Sequence, residues 1–120
     1  PSNPYVSIAP IMAIPHIRDF MSASNLPVWV VSPIVGGSAI KGPTAKMMRE
    51  LAIEPSCLSV AEHYRNLATG IVIDTVDADA AKQIVATGLK LLIADTVMTT
   101  DGDKVRLARE VLDVAGLSDV

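Results

Sequence analysis

The 120-residue chain is half hydrophobic, carries a formal net charge of -3 and contains a single cysteine. That length allows one domain with a real core, the acidic balance excludes the basic stripe of a generic nucleic-acid binder, and no run of about 18 uncharged apolar residues offers a membrane span. With aromatic residues at 3%, stacking platforms for bases or sugars are excluded too, and the core is built from Val, Ile, Leu, Ala and Met.

There is no basic start with a small-residue cleavage site, as a secretory signal requires. Cys57 alone closes no internal disulfide, so a reducing cytoplasm is the expected setting. No repeat or low-complexity linker divides the chain. It reads as one piece.

The chain opens on PSNPYVSI, where Ser2 and Asn3 lie between two prolines and Ser7 suits the cap of a turn beginning at Ile8. Residues 10–24 read as two short helical turns interrupted by Pro15. VWVVS (28–32) is a continuous β-branched run of the kind buried on both faces of a parallel sheet. Pro33, Gly36 and Gly37 follow in a loop. Pro43 suits a helix's first turn, with Ala45, Met48 and Ala52 on one apolar stripe. Ser59 is the expected cap of the next helix, with Glu62 completing a capping box and Gly70 ending it. IVID (71–74) is a second buried strand. Asp77 is expected to cap a helix that Gly88 closes, and LKLLIAD (89–95) is a third strand of the same buried type. The last helix spaces Val105, Leu112 and Ala115 on its apolar side, and Gly116 stops it. Strands alternating with helices predict an α/β fold with a parallel sheet.

Ligands of such sheets bind beyond the carboxyl ends of the strands. In SPIVGGSAIKGP (32–43), Gly36 and Gly37 permit positive φ and close backbone approach, Ser38 adds a hydroxyl and Lys41 a cation. The loop is either an anion site or a glycine-rich turn with a solvated lysine. It matches neither a Walker loop nor G-x-G-x-x-G. PSNP is likewise either a phosphate cradle or an ordinary turn. Asp74 and Asp95 end strands, where each can hold Mg²⁺ or a hydroxyl, or cap the next segment. His16 and His63 have no partner at metal-ligand spacing. His63 reads as a hydrogen-bonded structural residue, Cys57 as a small buried hydrophobe, Glu50 and Glu62 as solvated charges, and Met47-Met48 as core filler.

Taken together, PSNPYVSIAPIMAIPHIRD and VSPIVGGSAIKGPTAKMMRELAIEPSCLSVAEHYRNLATGIVIDTVDAD resemble the 2-phospho-L-lactate transferase family of coenzyme F-420 biosynthesis. PSNP…SI…PI, SPI-x-GG…KGP and A-x-HY recur in order and at family-like spacing. The resemblance implies a doubly wound, Rossmann-like fold, present here as the C-terminal part (1–120) of one transferase domain whose glycine-rich N-terminal half, with its metal-binding and catalytic acids, lies elsewhere. It implies transfer of a phospholactyl or phosphoenolpyruvyl group from a guanosine diphospho donor to the deazaflavin precursor Fo, with Mg²⁺ assisting and GMP leaving. Carried over by motif, Ser2, Asn3 and Ser7 are expected to face the donor's diphosphate, and Gly36, Gly37 and Lys41 to line the same pocket. The expected partners are these small molecules, with neither nucleic acid nor membrane, and a second copy of the chain remains a candidate. A sister family of similar fold, regulators that bind UDP-sugars, is the alternative; KGP and A-x-HY favour the transferase.

Overall fold

The three apolar runs become the strands of one parallel sheet in a computed structural model that describes residues 2–39 and 42–117. In chain order there is a π-helical turn (Pro4–Ile8), helices α1 (Ala9–Met12) and α2 (Pro15–Ala23), strand β1 (Trp29–Val31), and the short strands β2 (Ile34–Val35) and β3 (Ser38–Ala39). Helices α3 (Thr44–Glu50) and α4 (Cys57–Tyr64), strand β4 (Gly70–Asp74), a 3₁₀ segment (Thr75–Ala80), α5 (Ala81–Ala86), β5 (Lys90–Ala94) and α6 (Asp101–Val114) complete it. The sheet order is β1-β4-β5, both pairs parallel, with Trp29 opposite Gly70 and Ile71 opposite Leu91. This is the expected α/β architecture, Rossmann-like in having helices on both faces.

The period of two along β4 assigns its side chains to those faces. Ile71 and Ile73, both fully buried, pack with Ile34, Met48, Val60, Ala61 and Ile84 from β2 and helices α3 to α5. Val72 points the other way, to Ala94 and to Leu107 of α6, with Trp29 and Val31 alongside. Truncating Ile71 or Ile73 to Ala would cost about 2–5 kcal/mol. Gly70 has a packing reason: a Cβ there would lie 2.5 Å from the Trp29 ring.

β1 and β5 differ from expectation. All three residues of β1 are only half-buried, and in β5 Lys90 and Ile93 are exposed and Leu91 and Leu92 half-buried, whereas every residue of β4 is buried. The cause is position: β1 and β5 are the two edges of the sheet, each with no strand on its other side among the described residues.

Helix ends supply the other corrections. Pro15 does separate α1 from α2, as the first residue of α2, where its missing N–H costs nothing. Ser7 caps nothing; it lies inside the π-helical turn, which Asn3 caps by accepting from the N–H groups of Tyr5 (2.8 Å) and Val6 (3.3 Å). The cap of α4 is Ser56, which accepts from Ser59 N–H at 3.1 Å, so Ser59 lies in the first turn. α4 ends at Tyr64, and Gly70 opens β4 instead of closing the helix. Asp74, not Asp77, caps the segment after β4. In α3, Ala45 and Met48 are buried as expected, but Ala52 lies past the helix end with φ +58. It occupies the left-handed position usually given to glycine. α6 begins earlier than expected, at Asp101, behind a Thr100–Asp103 capping box. Its inward side chain is Leu107, flanked by Val111, while Val105 and Leu112 are about half exposed. Gly88 and Gly116 do stop their helices, at φ +92 and +78.

Candidate functional site

The three loops beyond the carboxyl ends of the strands are tied together by two aspartates of one segment. Asp74, 3% exposed, accepts from Val76 N–H (3.0 Å), Thr96 N–H (2.9 Å), the Thr96 hydroxyl (3.0 Å) and the Thr75 hydroxyl (3.3 Å). Burial alone pushes its carboxyl up; the hydrogen bonds from Val76, Thr96 and Thr75 outweigh that and hold it below the ordinary carboxylate range. Of the two roles open to Asp74 in the sequence, the structure shows the cap. Asp95 accepts from Val97 N–H at 3.2 Å, and its carbonyl accepts from Arg106 at 2.9 Å.

Asp77 lies within the 3₁₀ segment at a non-helical φ/ψ of -100°/19°. Its two carboxylate oxygens stand 3.2 and 3.1 Å from Gly36 N–H. Gly36 and Gly37, at φ +59 and +80, form the two-residue turn between the antiparallel strands β2 and β3. Two successive positive φ values are the type I′ hairpin geometry, which favours glycine. The sequence predicts a loop here; the structure shows a hairpin whose first glycine amide is already committed to a carboxylate. Nothing local in SPIVGGSAIKGP reveals this, because Asp77 lies 41 residues away.

Asn3 is extended, at φ -63° and ψ 123°, as a residue before proline should be. Its side chain is engaged, however. The amide oxygen caps the π-helical turn, and the amide nitrogen donates to Met47 Sδ at 3.4 Å. Ser2 is exposed and lines, with Ile8, Met12, Trp29, Pro33 and Tyr64, a cavity of about 330 Å³ along the β1 edge. The buried Nε1 of Trp29 has no hydrogen-bond partner among the described residues. A second cavity of similar size shares Ile8, Met12, Tyr64 and Leu67 with the first and adds Arg18, His63 and Asn66. The structure thus puts Ser2 on the same cavity as Pro33, which precedes the glycine hairpin, and ties Asn3 to Met47 of α3. The Gly36-Gly37 turn faces elsewhere: Cβ atoms added there would meet Val76 and the Pro55 carbonyl. Lys41 lies outside the described residues.

His63 packs edge-on between Tyr5 (centroids 5.3 Å apart) and Tyr64 (4.7 Å). The resulting desolvation lowers its pKa, while burial pushes the Tyr64 hydroxyl up to about 12, with Tyr5 adding to the shift. Cys57 is 3% exposed, and burial, then the Asp77 charge, pushes its thiol up to about 11. That is the inert, buried thiol expected from the sequence.

Among the described residues no three His, Cys, Asp or Glu side chains converge as metal ligands. The carboxylate ending β4 has its oxygens taken by N–H and O–H donors. These residues therefore do not fit a Mg²⁺ ion held by them alone. No described helix is long and apolar enough to cross a membrane.

The model of the family described as 2-phospho-L-lactate transferase CofD matches residues 1–112. A 2-phospho-L-lactate transferase of Methanocaldococcus jannaschii is 40% identical over 116 residues, covering 97% of this chain and 36% of the relative. A phosphoenolpyruvate transferase of Streptomyces coelicolor is 39% identical, covering 96% of this chain and 36% of the relative. A 2-phospho-L-lactate transferase of Methanopyrus kandleri is 39% identical, covering 95% and 36%. The chain thus spans about a third of the length of these relatives. From the sheet, the order of its motifs and a match running from residue 1 to residue 112, the chain belongs to the 2-phospho-L-lactate transferase CofD family.

Proposed function

We propose that this chain forms one wall of the active-site cleft of a transferase in coenzyme F-420 biosynthesis. The reaction moves a 2-phospholactyl or phosphoenolpyruvyl group from a guanosine diphospho donor to the terminal hydroxyl of Fo. The hydroxyl oxygen forms a new bond to phosphorus, the bridging P–O bond to GMP breaks, and the hydroxyl proton leaves. The observation that carries this reading is the family match over residues 1–112, with relatives named for each of the two transferred groups.

The donor diphosphate is assigned to the exposed hydroxyls of Ser2 and Ser7 and the backbone around Asn3, with the hairpin of Gly36 and Gly37 and the following Lys41 read as an adjoining wall of the same cleft. Gly36 contributes by shaping the turn, since its N–H is held by Asp77. A Mg²⁺ ion would draw its protein ligands from residues beyond the described ones.

The test is GMP release by the full-length protein with each donor, with and without Fo. Fo-dependent release with one donor is expected. Binding of UDP-N-acetylglucosamine without transfer would instead support the regulator alternative. Lys41→Ala should weaken GDP binding about tenfold to a hundredfold, the loss of a charge-assisted contact of roughly 1.5–3 kcal/mol. Unchanged affinity by calorimetry would make Lys41 a solvated loop charge.

A further inference from the structure

We propose that Asp77 is the positioning residue of the Gly36-Gly37 turn, and that its carboxylate sets where this hairpin stands in the donor site. The inference rests on the reading of the turn as part of that site. A turn of two glycines has no side chain with which to anchor itself. The buried Ile34 fixes the root of the hairpin in the core, two residues short of the turn; beyond it the side-chain contact on the turn's backbone among the described residues is Asp77, through both oxygens, at 3.1 and 3.2 Å from Gly36 N–H.

Three observations converge on this contact. Asp77 is where the 3₁₀ segment leaves helical geometry, so the kink and the long-range bond occur at one residue. The hairpin also rests on the adjoining residue, since a Cβ at Gly36 would meet Val76 Cγ1 at an ordinary 3.6 Å. Helix α4 packs against both β2 and the 3₁₀ segment. The buried Cys57 at its start experiences the Asp77 charge. The carboxylate therefore couples the loop after β1 to the loop after β4 at the carboxyl end of the sheet. A ligand gripped by the hairpin is placed relative to the sheet through this bond.

The experiment compares wild-type full-length protein with Asp77→Ala and Asp77→Asn. Asparagine keeps an acceptor oxygen and loses the charge; alanine loses both. In ¹⁵N-glycine spectra the Gly36 amide resonance should move in Asp77→Ala more than those of the distant Gly88 and Gly116, and should stay near its wild-type position in Asp77→Asn. The donor KM should rise about tenfold in Asp77→Ala with kcat within about threefold, the pattern of lost ground-state positioning, and Asp77→Asn should recover most of it. The melting midpoint should fall by less than about 4 °C.

An unmoved Gly36 resonance in Asp77→Ala overturns the proposal. A moved resonance with unchanged donor KM overturns its functional half and leaves the transferase reading standing. Wild-type protein that transfers nothing overturns the proposed function alone, because the resonance comparison still decides whether Asp77 holds the turn.

Discussion

Asp74 and Asp77 lie three residues apart in one DTVDAD segment and do opposite kinds of work. Asp74 is 3% exposed and gathers donors from Val76, Thr96 and Thr75, joining the carboxyl ends of β4 and β5 across a wholly buried Thr96. Asp77 is partly exposed and takes one backbone N–H from a hairpin 41 residues away. The lesson is that burial and the number of satisfied donors decide the role. Where an acid's partners are cut off from water it holds the fold together; where water can replace it, it locates a loop.

The largest expected effect tests the buried side of this contrast. Asp74→Ala leaves the Thr96 hydroxyl and two backbone N–H groups without their acceptor, and should cost about 3–4 kcal/mol of stability. Urea unfolding at neutral pH measures it. A loss below about 1 kcal/mol would place Asp74 with Asp77 as a replaceable contact and remove the distinction.

A smaller effect is its pH dependence. The folded-state pKa of Asp74 is depressed. Its contribution is therefore complete above the ordinary Asp pKa of about 4 and is lost as pH falls through the folded value. The gap in urea midpoint between wild type and Asp74→Asn should be wide at pH 7 and narrow progressively below about pH 4. A gap independent of pH would mean that geometry, not charge, is what Asn fails to supply.

The smallest effect provides a yardstick at the surface. The Thr100–Asp103 box uses the same kinds of donor as Asp74, but all of its hydrogen bonds are exposed. Thr100→Ala should cost about 1 kcal/mol, as helix caps do, well short of Asp74→Ala. Equal losses at the two sites would show that burial is not what separates them.

The sequence by itself determined the parallel sheet, the break at Pro15, the stops at Gly88 and Gly116, the inert Cys57 and the family. Each is written locally: a run of apolar residues long enough for a strand, a proline without an N–H, a glycine free to take positive φ, an ordered set of short motifs. Only the tertiary structure decided which of two equivalent local choices was taken. Ser56 and Ser59 both suit a helix start, and Asp74 and Asp77 both suit the next one; the strand's end and the packing of α4 select Ser56 and Asp74. In α6, Val105 and Leu107 differ by about 200° around the axis, so spacing alone names two stripes, and contact with Val72 and Ala94 chooses Leu107. The partial exposure of β1 and β5 follows from their places at the two edges, a property of the whole sheet. The bond from Gly36 to Asp77 had no local trace because its partners are 41 residues apart, and only the folded sheet brings the loops after β1 and β4 side by side.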